Sequence, residues 1–588
     1  MHIQTLIKNN VYFDSMVLMQ LTSRILKQPG VQKAHVMMAT EENRRTIRNK
    51  ELITDEVLKA TSNDLFIIVA ADDENCAKMA INSALDNLEN TQENTGDLKL
   101  SYKSLVGAIQ NHPEANLVSV SLPGKYAFSE ARNALEAGLH VFLFSDNVPI
   151  EEEITLKKLA YEKKQIVMGP DCGTAILGGA ALGFANAVRR GSIGVVGASG
   201  TGIQEVTTLI HRMGAGISHA IGTGGRDVKD VVGGGTLIAG LEWLAADPST
   251  KVILMVSKPP DASVRDRVLD IIQTVNKPVV INLLGSSETE YRTGKVYVAE
   301  TMEEAAFMAV MVDSHQQKDL YKEADLLQLA IGEHNRLAKG QKYYRGLFSG
   351  GTFANEAALI LAKDFHPVHG NVSMPNIQPL EDPFDSIGHS CVDMGDDVFT
   401  VGKPHPILAP ELRRERMLAE ASDPETGVIF LDIVLGFGCH PDPASEFAEF
   451  IKEAKALATE QGRYLPILAY VAGVEEDPQV YSRQVEILKA SGAVVTPTNA
   501  AAARMAYTIL TGNILPAPIY SPLSMDGDFK NSDRELPFEL PEKANVINLG
   551  LKAFGESLES QNIPVTYVDF SPPAGGNSEL MNLLNDLL

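Results

Sequence analysis

Short apolar runs closed by glycine turns alternate along most of this chain with stretches whose apolar positions recur every third or fourth residue, the pattern of strands and helices in an α/β fold. The run Ile193-Gly194-Val195-Val196 predicts a buried strand, Gly197-Ala198-Ser199-Gly200-Thr201-Gly202 a tight turn, and 203–213 a helix. The design returns as Tyr344-Arg345-Gly346-Leu347-Phe348, Ser349-Gly350-Gly351-Thr352 and a helix over 353–363, where Glu356 follows its turn much as Glu205 follows the first. Val252-Ile253-Leu254-Met255-Val256 answers Val428-Ile429-Phe430-Leu431-Asp432, and Pro278-Val279-Val280-Ile281 answers Pro466-Ile467-Leu468-Ala469. Two units of one fold, 191–312 and 341–512, therefore follow each other.

Before them, 101–190 alternates strand and helix, which predicts a parallel, Rossmann-like sheet with its ligand crevice at the carboxyl ends of the strands. Ser121, Pro123 and Lys125 stand at one such end, and Pro170, Asp171 and Cys172 at another. Residues 1–100 read as a ferredoxin-like α+β domain, 313–340 as a helical linker and 513–543 as a second linker. The stretch 544–588 makes one α/β unit, too small to bury its own core, and is expected to dock on the body or on a partner.

Composition narrows the function. The 588 residues carry 51 Lys and Arg against 75 Asp and Glu, a formal charge of -24 without a basic run, which argues against nucleic acid. Anionic small molecules remain open, because local amides outweigh a distant field. The start MHIQTLIKNN lacks the basic start and apolar core of a signal peptide and no apolar run reaches membrane length, so a cytoplasmic protein without membrane contact is expected. Cys76, Cys172, Cys391 and Cys439 lie far apart, as reduced, structural thiols do.

The first amides of a helix lack intrahelical acceptors and carry the positive end of its dipole. The two turns thus predict phosphate or carboxylate cradles, from Ser199, Gly200, Thr201 and Gly202 and from Ser349, Gly350, Gly351 and Thr352. NAD is disfavoured, since the next strand runs into Gly222-Thr223-Gly224-Gly225 where a ribose-binding acid would stand, and no Gly-Lys-Ser/Thr makes a Walker A loop. The polar segment GHSCVDMGDDVFTVGKPHP, 388–406, offers His389 as acid, base or nucleophile oriented by Asp393 or Asp396. Filling a polar pocket explains His389 equally well. As metal ligands His389, Asp393 and His405 match no strong spacing, and no Gly-x-Ser-x-Gly elbow marks a hydrolase.

Residues 121–173 resemble the later part of the CoA-binding domain of succinyl-CoA synthetase alpha chains, 193–312 their ligase domain, and 345–512 the matching beta-chain domain. The resemblance implies two helix starts that face each other, and CoA near Ser121, Pro123, Lys125, Pro170, Asp171 and Cys172. Three departures stand out. No glycine-rich loop precedes Ser121, Gly285-Ser286-Ser287-Glu288-Thr289-Glu290-Tyr291 lacks the family's phosphorylated histidine, and no ATP-grasp domain precedes the beta-like unit. The whole arrangement is similar to the FdrA family, acyl-CoA synthetase-like proteins that occur with allantoin-degradation proteins, and 544–576 resembles the start of one of its partners. That resemblance implies phosphate-dependent carbamoyl transfer, oxalurate plus phosphate to oxamate plus carbamoyl phosphate, in a hetero-oligomer with other carbamoyltransferase subunits. The polar segment would supply the catalytic pair, His389 as acid/base group and Asp393 orienting it, with no certain cofactor. The alternatives are an acyl-CoA synthetase working with a separate nucleotide-binding subunit, and a non-catalytic assembly scaffold.

Overall fold

A computed structural model describes residues 2–9, 11, 15–26, 28–39, 43–44, 47–48, 52, 54–61, 64–93, 101–285, 296–314, 319–372, 374–400, 405–515 and 541–571. The histidine-free stretch 286–291 and most of the expected linker 513–543 lie outside them. The first domain holds β1 (His2–Lys8), α1 (Ser15–Leu26), β2 (Val31–Met38), β3 (Leu65–Ala71) and α2 (Glu74–Glu93). Its described strands form an antiparallel sheet of order β1-β3-β2, one strand short of the expected ferredoxin-like sheet. The central strand, Leu65-Phe66-Ile67-Ile68-Val69-Ala70-Ala71, is apolar at every position because both faces are covered. Ile67 and Val69 meet the two helices, while Phe66 and Ile68 meet Ile47, Leu52 and Val57.

The chain continues through β4 (Ser101–Tyr102), α3 (Leu105–Asn111), β5 (Leu117–Val120), α4 (Gly124–Glu136), β6 (His140–Leu143), α5 (Ile150–Lys163) and β7 (Val167–Met168). The first repeated unit follows as β8 (Thr174–Leu177), β9 (Ala180–Gly183), β10 (Arg190–Gly197), α6 (Gly200–Arg212), β11 (Ile217–Gly222), α7 (Gly235–Ala246), β12 (Val252–Ser257), α8 (Ala262–Thr274), β13 (Val279–Leu283), β14 (Val296–Val298) and α9 (Met302–Ser314). Its seven strands run in the order β14-β13-β12-β10-β11-β8-β9. The hairpin β8–β9 thus belongs to this sheet rather than to the one before it.

After α10 (Glu323–His334), the second unit comprises β15 (Tyr343–Phe348), α11 (Gly351–Leu361), β16 (Val368–Gly370), β17 (Gln378–Pro379), β18 (His389–Asp393), α12 (Arg414–Ser422), β19 (Thr426–Val434), α13 (Pro443–Glu460), β20 (Ile467–Ala472), α14 (Tyr481–Ala490), β21 (Val494–Thr496) and α15 (Asn499–Thr511). These strands are ordered β17-β16-β18-β15-β19-β20-β21. Ile203, Val206, Phe353, Ala357 and Ala500 share one buried core across both units, which fixes the start of α6 against the start of α11.

The last described elements, β22 (Val546–Leu549), α16 (Lys552–Ser560) and β23 (Val565–Val568), do not form a separate unit. They enter the sheet of the first Rossmann-like domain, whose order is β4-β23-β22-β5-β6-β7 with every pairing parallel. That is the doubly wound order 3-2-1-4-5-6. Strands one and two come from 546–568, and strands three to six from 101–168. The domain's opening strand–turn–helix, which has no counterpart before Ser121, therefore lies at β22, Gly550 and α16.

Candidate functional site

Two helix starts meet head-on between the repeated units. Ser199 caps α6, its Oγ accepting from the N–H of Gly202 at 2.9 Å. Gly350 occupies the corresponding place before α11 and has no side chain to cap it. The Oγ of Ser199 and Oγ1 of Thr352 are 2.5 Å apart, and a Cβ placed on Gly350 would stand 2.6 Å from Cγ2 of Thr201. Each threonine, second residue of its helix, thus packs on the cap of the opposite helix. Among the described residues no acceptor takes the N–H groups of Gly200, Thr201, Gly351, Thr352 or Phe353. Open amides from two dipoles converge on one place, as anion binding requires.

Ser349 is not part of that cradle. It is fully buried, its N–H donates to Asp432 Oδ1 at 2.8 Å, and its Oγ donates to Asp432 Oδ2. Arg413 Nη1 donates to the same Oδ1 at 3.0 Å and to Leu347 O at 3.2 Å, so a buried ion pair anchors the turn from behind. The structural counterpart of Ser199 is Gly350. Glu205 and Glu356, each six residues beyond its cap, bear this out.

Beside α11 lies Asp393 at the end of β18. Its Oδ1 accepts from Gly395 N at 2.9 Å, and its Oδ2 stands 2.9 Å from where a Cβ on Gly351 would be. Burial pushes its carboxyl up to about 7, with Asp396 and Asp432 adding to the rise and Lys258 opposing it. Asp171 faces the same region. It is open to solvent yet crowded by protein, and this desolvation, with Asp146 and Asp397 nearby, raises it to about 6 against the pull of Arg226 and Lys258. Lys258 follows β12, whose Val256 carbonyl closes on Gly197 so tightly that no Cβ fits there.

The structure does not bring His389 to this place. It opens β18, while Asp393 closes that strand, a separation of roughly 13 Å at about 3.3 Å per residue. Its ring stacks on Phe365 at 3.9 Å, Nδ1 accepts from Tyr344 N, and burial beside Arg345 and His369 lowers it to about 4. This histidine fills a pocket at the far end of the sheet. His405, weighed from sequence only as a metal ligand, lies close to Asp393 instead.

The Rossmann-like sheet has its own crevice, where strand order reverses between β22 and β5. Gly550, at φ +118°, packs so closely that a Cβ would stand 2.5 Å from Ser121 Oγ, and that Oγ accepts from Leu551 N at 2.7 Å. Pro123 precedes α4 there, and Lys125 is exposed with Nζ 4.7 Å from the Tyr126 ring centre. Pro170 is buried, and Cys172 is inert: burial pushes its thiol up to about 12, and Sγ contacts Thr174 O. Phe144, Phe184 and Phe554 stand ring to ring beside the crevice, at 4.8 to 6.1 Å between centres, and Phe184 lies 6.2 Å from the ring of His405.

Three families match parts of the chain: CoA-ligase over 347–509, CoA binding domain over 188–284, and AllF, heavy metal-associated domain, over 1–101. Among the described residues, the last of these offers no soft-metal site. Its sole cysteine, Cys76, sits 3.6 Å from Asp73 Oδ2 with its thiol pushed up, and the described residues hold no group of three His, Cys, Asp or Glu able to take a metal. The uncharacterized protein YahF of Escherichia coli is 42% identical over 85% of this chain and 97% of its own. The ADP-forming sulfoacetate-CoA ligase subunit SqwL of an Acholeplasma is 28% identical over 31% of this chain and 63% of its own; succinate–CoA ligase subunit alpha 1 of Archaeoglobus fulgidus is 26% identical over 28% and 57%. The chain therefore spans under two thirds of both named ligase subunits. Among solved structures, ATP citrate lyase from Methanothrix soehngenii matches 38% of this chain and 43% of its own at 18% identity, TM-score 0.33. No described helix is long and apolar enough to cross a membrane.

Proposed function

Since the chain belongs to the same family as YahF and carries CoA-ligase and CoA-binding domains, we propose that it exchanges an acyl group between the sulfur of CoA and an oxygen of phosphate. This is the acyl-transfer half of an acyl-CoA ligase. An oxygen of hydrogen phosphate attacks the thioester carbonyl, the C–S bond breaks, and the phosphate proton passes to sulfur, leaving acyl phosphate and the CoA thiol. The observation that carries the reading is the pair of facing helix starts with open amides at Gly200, Thr201, Gly351 and Thr352. Preorganised donors of this kind are each worth roughly 3 kcal/mol when charge develops on oxygen.

CoA is assigned to the crevice between Gly550 and Ser121, from which Phe144, Phe184 and Phe554 lead toward the helix starts. A nucleotide-driven step would belong to a separate subunit, in keeping with relatives that are named as subunits. Carbamoyl transfer from oxalurate is the second reading. It uses the same phosphate cradle, and the sequence 285–291, which offers no histidine to phosphorylate, favours a cycle without a phosphoenzyme.

Phosphate-dependent release of free thiol from an acyl-CoA, with the acyl phosphate identified by phosphorus NMR, tests the first reading. A thermal-shift panel with CoA, phosphate and carbamoyl phosphate separates the two, since a ligand at 100 times its dissociation constant adds about 2.7 kcal/mol. Stabilisation by carbamoyl phosphate without any effect of CoA would move the assignment to carbamoyl transfer. A Gly350→Ala variant, crowded at the helix starts, with unchanged activity in the full complex would point to a scaffold.

A further inference from the structure

We propose that His405 donates its Nε2–H to the thioester carbonyl oxygen as that oxygen becomes an oxyanion during acyl transfer, an assignment that rests on the reading above. The geometry starts at Gly395. The point where its Cβ would stand is 2.7 Å from His405 Nε2, 2.7 Å from Ser349 O and 3.2 Å from Asp393 Oδ1. Asp393 Oδ2 in turn adjoins Gly351, first residue of α11. His405 therefore lies one carboxyl group away from the open amides.

Its tautomer follows from its contacts. Nδ1 accepts from Ile407 N at 3.3 Å, which places the proton on Nε2, and among the described residues nothing accepts that proton. Burial and the charge of Arg413 push the ring down to about 4, so it is a neutral donor across the physiological range. A neutral imidazole stabilises a developing oxyanion without first giving up its proton. The ring also lies 6.2 Å from that of Phe184, on the side from which a thioester seated in the crevice would approach. Attack on a thioester creates two centres of negative charge, the phosphate and the carbonyl oxygen. The helix amides serve the first, and His405 is positioned for the second.

The test uses the full chain and the acyl-CoA that gives the highest wild-type rate of phosphate-dependent thiol release. His405→Ala should lower kcat by about 100- to 1,000-fold while the KM for phosphate stays within about threefold. His405→Gln, whose side-chain amide can donate from nearly the same place, should recover at least about tenfold of that loss. A kcat for His405→Ala within threefold of wild type overturns the proposal. So does an equal loss in both variants accompanied by lost phosphate binding, since that marks a structural role. A wild-type chain that releases no thiol removes the acyl-transfer reading and this assignment with it, whereas an active His405→Ala removes the assignment alone.

Discussion

Thr201 lies over the α-carbon of Gly350 so closely that a Cβ there would be 2.6 Å from its methyl, 2.8 Å from its hydroxyl and 3.2 Å from its own Cβ. Gly350→Ala should therefore push the helix starts apart and weaken phosphate binding. A thermal shift and phosphate titration of Gly350→Ala, alone and with Thr201→Ala, check this. The second substitution removes the two closest contacts and should restore part of the loss, as coupled neighbours do.

Asp393 should give anion binding at the helix starts a pH dependence. Protonated below about pH 7 it is neutral beside the first amide of α11, and above that its charge repels an anion. Burial raises its carboxyl with help from Asp396 and Asp432, the Gly395 N–H and Lys258 oppose the rise, and neutral His405 faces it. Sulfate, which stays a dianion throughout, should bind more weakly as pH rises from 6 to 8. Asp393→Asn should flatten that slope, and a wild-type affinity level across the range would refute the idea.

The interface between the repeated units carries two buried acids. Glu205 accepts from the Tyr470 hydroxyl, and Glu356 accepts from Met302 N at 2.7 Å and Asn499 Nδ2 at 2.8 Å. Burial raises Glu205 to about 8 and Glu356 to about 7, whereas the unfolded chain titrates near 4.5. The folded state thus holds protons that the unfolded state releases. Their stabilisation is complete below about pH 4.5 and is lost as pH climbs through 7 to 8. Between pH 5 and 9 the wild-type Tm should fall more steeply than that of Glu205→Gln/Glu356→Gln, in which neither site titrates.

Ser121→Ala leaves the buried N–H of Leu551 without its acceptor and should cost about 1–3 kcal/mol. Gln561→Ala, which breaks a two-bond clamp on Ala181 N and O at 2.8 and 3.0 Å, should cost a similar amount. Denaturant unfolding measures both. If the closing segment were dispensable, neither would shift the midpoint.

The strand–turn–helix pairs at Ser199 and Gly350 were legible because glycine, apolar runs and helical spacing are local signals. The alignment of the two turns was legible only to within one residue, since Ser199 and Ser349 look alike in sequence while Asp432 claims the second. β18 was hidden by its polar letters: Ser390 is buried with its Oγ donating to the Ile387 carbonyl and accepting from the Ile387 N–H, and Cys391 and Val392 are core. The pairing of β22 with β5 has no local signature at all. Two apolar runs far apart in sequence complement each other only in three dimensions, and His405 beside Asp393 is legible only after that folding is known.

The sheet that joins β5 to β22 also imposes a timetable. Ser121 and Leu551 are 430 residues apart. At roughly 5–20 residues per second, translation takes about 20 to 90 s to make the second after the first. Throughout that interval the ribosome-bound chain presents Leu117–Val120 as an unpaired apolar edge, open to the wrong neighbour. Slowing elongation after residue 120, or limiting chaperone supply, should lower the yield of folded protein without altering a single residue.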